Sequence, residues 1–373
     1  MRLAIRKKPL PFERIREIHV ARLVRQAFSD YGAQLRESAA ELPAPQGSEV
    51  LVRVGHCGVC HSDLHLHDGY FDLGGGRKAE LAGGRELPFT LGHEIEGTIE
   101  SAGPDAKDAK PGRRVAIYPW IGCGKCTTCK RGDEHLCAKP RQIGIQVDGG
   151  YASHVMVPHP RYLLDYDPIP PALAGTYMCS GVTAYSSVVK LGPVADEGPV
   201  LIVGMGGVGM MGLAFVLARS KHAPIVAEID PAKRALALER GAGAAFDPTD
   251  PAARKAVIAA SGGGVMGAID FVGSDKSAAF AYGALAKGGR LVVAGLIGGE
   301  MKLSVPTLPL RGVSIIGNYV GSLAEAKEML ALVRSGKVQP IPVRTRPLSE
   351  AQAALDDLRA GRTVGRQVLV PEG

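Results

Sequence analysis

Val200-Leu201-Ile202-Val203-Gly204-Met205-Gly206-Gly207-Val208-Gly209 is a short, wholly apolar run that breaks into a glycine-rich turn. Four apolar residues in a row are what a strand buried on both faces of a parallel sheet requires. The apolar stretch after the turn reads as a helix to about Arg219. Glycines let the backbone approach a pyrophosphate, and the helix N-terminus offers unpaired amides to it. A second strand, Ile225-Val226-Ala227, leads into Glu228, 24 residues after Gly204. That is near where a dinucleotide fold places the carboxylate that bonds the adenosine ribose and repels a 2′-phosphate. The glycine pattern alone is weak; strand, turn, helix, strand and acid together predict a dinucleotide site that prefers NAD.

The same alternation continues outward. Ala268 to Val272 ends in Gly273-Ser274, and Leu291 to Ala294 ends in Gly295, with a helix over Ala278 to Ala286 between them. Strand and helix alternating from Val200 to Gly317 predict an open parallel sheet, with Val313 to Gly317 at its edge. Two more helices, Ser322 to Ser335 and Ser349 to Ala360, precede a last strand, Arg366 to Val370. There are no internal repeats.

Upstream, the chain reads as mostly β. Strands are predicted over Ala21 to Arg25, Leu35 to Glu41 and Val50 to Val54, with a Pro-rich turn at Pro43 to Gly47. The last of these runs into Gly55 to His65, which packs Cys57, Cys60, three histidines, Ser62 and Asp63 into eleven residues. Thiolate and imidazole are zinc ligands, and a hydroxyl beside a metal can carry a proton. Read alone, the stretch fits either a catalytic zinc corner or a tight turn carrying buried thiols. His93, in Leu91-Gly92-His93-Glu94 ahead of an alternating strand, is a second metal candidate. Asp68 to Glu86 is glycine-rich and polar, and is predicted to be a loop bordering the cleft.

Cys123, Cys126 and Cys129 stand at two-residue gaps, with Cys137 eight positions on. Four thiolates so spaced close around one tetrahedral ion and leave no open position, the mark of a structural zinc. A DNA-reading zinc module would set a basic helix beside the metal, whereas this lobe offers only Lys125, Lys130 and Arg131. A strand over Gly149 to Val157 and a helix over Leu173 to Leu191, carrying Cys179, Thr183 and Tyr185, complete this part.

The chain has 373 residues, enough for two domains. Its net charge of +7 is spread along the sequence, and aromatic residues make up 5%, so neither a basic patch nor a base-stacking surface argues for nucleic acid. The longest uncharged run, Gly198 to Ala218, is long enough to span a membrane, but its glycines fit the phosphate turn better. Residues 1 to 20 are basic without an apolar core and read as an extension. Seven cysteines, four of them clustered, fit metal ligation in a reducing compartment, hence a soluble cytoplasmic protein.

A half-β first part with a four-cysteine lobe, then a dinucleotide core, then a return, resembles the zinc-dependent alcohol dehydrogenases of the medium-chain dehydrogenase/reductase superfamily. The resemblance spans about residues 21 to 373. It implies an α/β architecture: a GroES-like, mostly-β catalytic domain over 1–180 with its structural-zinc lobe at 120–140, a Rossmann doubly wound coenzyme domain over 181–320, and a return to the first over 321–373. Two zinc ions per chain and NAD are the implied cofactors, and the implied reaction is reversible hydride transfer between an alcohol and NAD.

The family's Cys-x-Ser/Thr-Asp motif, its Gly-His-Glu motif and its cysteine before the coenzyme domain fall on Cys60, His93 and Cys179. Cys57 is then assigned to packing. By the same resemblance Ser62 takes the proton of the alcohol and passes it through the cofactor ribose to His65, which exchanges it with solvent. Asp63 orients the His93 ring, and Glu94 balances charge at the metal. His61 and Arg366 are placed at the pyrophosphate, Thr183 at the nicotinamide, and Lys233 near the ribose that Glu228 binds. Gly204, Gly206, Gly207, Val208, Gly209, Val272 and Gly295 line the cofactor, and Trp120 walls the substrate pocket. The family usually carries Asp where this chain has Glu228.

Within the oxidoreductases, a more decorated alcohol such as a polyol or acyl-CoA-linked cyclic alcohol is an alternative substrate, since Arg77, Lys78 and Arg85 lie on the 68–86 loop. A non-catalytic zinc and nucleotide binder is the alternative outside them. No nucleic acid or membrane partner is expected; a homodimer or homotetramer is, through the sheet edge at Val313 to Gly317.

Overall fold

Leu201–Val203 is an inner strand of a six-stranded sheet whose strands all run parallel. The order across the sheet is Ala244–Phe246, Ile225–Ala227, Leu201–Val203, Val265–Asp270, Leu285–Val293 and Ser314–Gly317. Numbered along the chain this is 3-2-1-4-5-6, the doubly wound order, in which the crevice for a ligand opens where the winding reverses. Here that is between Leu201–Val203 and Val265–Asp270, so the Gly204 turn and the Phe271-Val272-Gly273 turn face the same crevice. Ser314–Gly317 is at the edge, as expected.

The computed structural model describes residues 21–81 and 85–372; the 1–20 extension, and part of the 68–86 segment, lie outside the described residues. In the other half, a seven-stranded, mostly antiparallel sheet is built around Val50–Gly58. That strand pairs with Glu94–Ala102, His154–Val157 and, from the far end of the chain, Arg366–Val370. Arg366–Val370 pairs in parallel with Val343–Pro347, so the C-terminal segment is stitched into the sheet that carries the first cysteines. A three-stranded sheet of Arg36–Leu42, Ala21–Phe28 and Phe89–Thr90 flanks it. Val50, Val52 and Val54 are buried on one face, and on the other Leu51 is buried too while Arg53 is exposed, so the strand is covered on both faces at its start.

Three local expectations need correction. The 68–86 segment is no loop throughout: Tyr70–Gly74 and Arg77–Glu80 pair as an antiparallel hairpin. Its three glycines are the turn itself, with φ of 79°, 58° and 76° at Gly74, Gly75 and Gly76, so glycine content marked a reversal and not a lack of structure. The strand from Val50 runs on to Gly58, and a helix, His61–Asp68, begins immediately at Cys60. The helix expected over Leu173 to Leu191 is broken: Pro171–Ala174 passes into a 3₁₀ turn, Gly175–Met178, and Cys179 takes φ −126° and ψ −75° before Ser180–Leu191 resumes. Apolar periodicity runs through this break and hides it.

Candidate active site

The strand-to-helix junction at Cys60, the turn before Glu94–Ala102 and the helix break at Cys179 converge. Cys60, His93 and Cys179 are buried and hold ligand atoms within 4.8 Å of one another. The Cys60 and Cys179 Sγ atoms are 3.8 Å apart. Two thiolates on one tetrahedral zinc, each about 2.3 Å from it, would be about 3.8 Å apart. Both His93 ring nitrogens are buried without a hydrogen-bond partner among the described residues; Nδ1 lies beside the Asp63 carboxylate, which leaves Nε2 for a metal. Donor chemistry, spacing and this orphaned nitrogen all fit a zinc ion with one open position.

Electrostatics point the same way. The Cys60 thiol is held well below its ordinary value, first by the Cys179 thiol bonded to it and then by His93, against the cost of burial. Cys179, sharing that proton, is pushed up. Burial opposes a charged His93, but the Asp63 and Cys60 charges outweigh it and raise the ring well above the usual histidine range. A cation arriving at the cluster would replace those protons.

Asp63 supports the cluster from behind. Its Oδ1 lies 3.1 Å from His93 Nδ1. Its Oδ2 accepts the Cys60 amide at 2.8 Å and the Tyr151 hydroxyl at 2.9 Å. Cys57, fully buried in the strand three residues before Cys60, is outside the cluster, and burial raises its thiol well above the ordinary value. Glu94 is not in the cluster either. It accepts the Ser180 hydroxyl at 2.7 Å and pairs with Arg366, and both side chains are buried. Burial raises Glu94 more than Arg366 lowers it, yet three donors converge on the carboxylate, and the same contact holds Arg366 charged. The pair is ionised. Arg366 thus stands between Glu94 and the glycine turn, where a Cβ on Gly207 would run into its side chain.

Cys60, Cys179 and the Gly204–Gly209 turn open onto one cavity of about 390 Å³. Gly204 has φ +90°, and a Cβ on Gly209 would penetrate the Gly204 carbonyl, so the turn tolerates no side chain at either position. Gly206 precedes Gly207–Arg219 without a side-chain cap, leaving the first amides of that helix free for an anion. Glu228 Oε2 accepts the Met205 amide at 2.6 Å and Oε1 the Asp230 amide at 2.9 Å. These bonds fix the carboxylate at the end of its strand while leaving each oxygen a lone pair. Lys233 lines the same end, 3.9 Å from Asp230. Val272, Gly295 and Thr183 also line the cavity, and Thr183 bonds the Cys179 carbonyl at 2.7 Å.

His61, Ser62 and His65 lie along the mouth on the helix that starts at Cys60. The His61 and His65 rings are 6.0 Å apart, and His65 packs on Phe71 of the hairpin at 4.8 Å. Burial lowers His65 below the ordinary histidine value, and the charge of His61 adds to this. Trp120 donates to the Met178 carbonyl at 2.7 Å and packs edge-on against both His93 and Tyr319, each at 5.6 Å. Tyr151, Phe71 and Tyr319 are the members that sequence reasoning missed: Tyr151 and Tyr319 reach the site through contacts distant along the chain, and Phe71 lies on a hairpin that reads as a loop.

The four cysteines of the lobe bring their thiols together within 4.8 Å of one another. Cys126 Sγ lies 3.4 Å from Cys129 and 3.9 Å from Cys137, and Cys123 Sγ is 3.9 Å from Cys129. These are the edges of a tetrahedron about the size four thiolates make around zinc.

The alcohol dehydrogenase GroES-like domain family matches residues 46–167, and the zinc-binding dehydrogenase family matches residues 207–335. An NAD-dependent alcohol dehydrogenase of Sulfurisphaera tokodaii is 37% identical over 92% of this chain and 98% of its own. A D-arabinose 1-dehydrogenase (NADP(+)) of Saccharolobus solfataricus is 30% identical over 88% of this chain and 92% of its own. The crystal structure of an alcohol dehydrogenase from Aeropyrum pernix superposes with a TM-score of 0.84 at 29% identity, covering 93% of this chain and all of that one. With both family matches in order and a relative of this identity along nearly its whole length, the chain belongs to the zinc-dependent alcohol dehydrogenases of the medium-chain dehydrogenase/reductase superfamily.

Proposed function

We propose that this protein oxidises apolar primary or secondary alcohols with NAD, reversibly, giving aldehydes or ketones. The observation that carries the reading is that Cys60 and Cys179, two of the three clustered ligands, and the glycine turn open onto one cavity, with His93 buried behind them. Cys60, His93 and Cys179 hold the catalytic zinc; Cys123, Cys126, Cys129 and Cys137 hold the structural one. The chemistry supplied by the bound groups is Lewis-acid acidification of the alcohol hydroxyl, from zinc, and hydride uptake, from NAD.

The chain's own residues do the rest. Asp63 fixes the His93 ring. Ser62 receives the hydroxyl proton and His65, neutral at pH 7 because its pKa is lowered, delivers it to solvent. Glu228 holds the adenosine ribose and disfavours a 2′-phosphate. Arg366, already charged and against Gly207, faces the pyrophosphate with His61. Thr183 and the Val272 and Gly295 backbones shape the nicotinamide end.

The wall near the metal supports an apolar substrate. Phe71, Leu81, Trp120, Ile145 and Tyr319 make it, and Trp120 is fully buried. Of the three cations that would favour a phosphorylated alcohol, Arg77 is paired with Glu300 and Lys78 lies 3.6 Å over the Tyr70 ring. Arg85 lines the cavity with its Nε on the Ile145 carbonyl and its buried Nη1 without a partner among the described residues, so it is the one of the three that a phosphorylated alcohol would meet.

The limits 1–180, 181–320 and 321–373 divide catalytic, coenzyme and returning segments. Ser314–Gly317, with half-exposed Ile315 and unpaired backbone on its outer side, is suited to pairing with a second copy as a dimer or tetramer. Among the described residues no helix is long and apolar enough to cross a membrane. Seven cysteines with no disulfide among them favour a reducing compartment, and so a cytoplasmic enzyme. A panel of simple, polyhydroxy and CoA-linked alcohols with NAD and NADP tests the reading: turnover of only the decorated alcohols would overturn the substrate class, and turnover of none would overturn the activity.

A further inference from the structure

Val320 is the sole non-glycine residue with positive φ among the described residues, at +46°. A β-branched side chain in the left-handed region persists only where its surroundings impose it. Both ends of the segment are clamped. Before it, buried Asn318 donates to the Thr183 carbonyl at 3.0 Å and to Ser187 Oγ at 2.8 Å, and accepts Ser186 Oγ at 3.1 Å. After it, the Gly321 carbonyl accepts the Tyr118 hydroxyl at 2.7 Å, and Ser322 caps the next helix. Tyr319 and Val320 form the arch between these clamps, and both face the cavity that holds Cys60.

Tyr118 is wholly buried, and Gly321 gives its hydroxyl the partner that burial demands. Its ring stacks on Tyr162 at 6.4 Å, and the Tyr162 hydroxyl donates to Glu134 of the four-cysteine lobe at 2.6 Å. The arch is therefore buttressed from the structural-zinc side of the molecule, while its Tyr319 touches the Trp120 wall on the other.

We propose that Tyr118 is a positioning residue for alcohol selectivity: by holding the Gly321 carbonyl it fixes the Val320 arch and sets the gap between Tyr319 and Trp120. This rests on the alcohol dehydrogenase reading of the cleft. Without the clamp the Val320 backbone relaxes out of the left-handed region and carries Tyr319 away from Trp120.

Tyr118→Phe in the full-length holoenzyme keeps the ring and removes the hydroxyl. The ratio of kcat/KM for 1-phenylethanol to that for ethanol should change roughly three- to ten-fold, the worth of about one hydrogen bond, with KM for NAD unchanged. Trp120 is the only tryptophan, so acrylamide quenching reads its surroundings directly and should increase. In a Tyr319→Ala background, Tyr118→Phe should add nothing to the ratio, because it acts through Tyr319. An unchanged ratio and unchanged quenching, or an equal effect in both backgrounds, would overturn the proposal. Should Tyr118→Phe not fold, Tyr118→Met, which fills the space without the hydroxyl, must shift ratio and quenching alike, and failure of both shifts overturns it too. If the wild-type enzyme turns over neither alcohol, the activity reading falls, while the quenching still decides the clamp.

Discussion

Asp63 Oδ1 lies 3.1 Å from His93 Nδ1, and both side chains are wholly buried. One carboxylate thereby fixes the plane of one imidazole and aims its Nε2 at the two thiols. The other carboxylate oxygen is held by the Cys60 amide and Tyr151, so Asp63 cannot swing away without losing three contacts.

Asp63→Ala should therefore weaken zinc at the catalytic site by about 10- to 100-fold, as removal of an orienting partner does in other zinc sites. Competition with a chelator measures this. The four-cysteine site is the internal control and should keep its ion; equal loss at both sites would mean that the substitution had unfolded the protein.

His65 governs the pH dependence of alcohol oxidation. Its pKa is lowered, so it is a neutral proton acceptor above a value that lies under 6.5, and the rate should rise as pH rises through that value. His65→Ala should lose about 10-fold or more around neutral pH and progressively less above about pH 9, where hydroxide substitutes as acceptor. A loss that is the same at every pH would remove His65 from the proton path.

Glu228→Ala should lower the preference for NAD over NADP by at least about 10-fold, since a carboxylate that repels the 2′-phosphate is removed. It also leaves the Met205 and Asp230 amides without their acceptor, costing about 1–3 kcal/mol of stability. The ratio of kcat/KM values for the two cofactors checks the first effect and thermal unfolding the second; an unchanged ratio would limit Glu228 to bracing the turn.

What could be read from the sequence was what is local in it. The glycine turn and Glu228 share one βαβ unit, and the four cysteines of the lobe stand within fifteen residues, so spacing alone carries their geometry. The catalytic cluster is different in kind. Cys60 and Cys179 are 119 residues apart, and only the family resemblance joined them. The Glu94–Arg366 pair spans 272 residues, and neither side chain signals the other. Cys179 sits at a break that helical periodicity conceals, and Tyr151 reads as one apolar residue in a strand until its hydroxyl is seen on Asp63. The hairpin at 70–80 was hidden by its own turn, because three consecutive glycines read as a loop and here make a reversal. Val320 leaves no trace at all, since its backbone is set by what Tyr118 and Asn318 hold.

The central claim is that Cys60, His93 and Cys179 form a second, separate and catalytic zinc site. Metal analysis of Cys60→Ser beside the wild type tests it most directly. Two zinc ions per chain in the wild type, one in the variant, NAD binding retained and alcohol oxidation abolished is the predicted result. One ion in the wild type, or an active variant that keeps two, would contradict it.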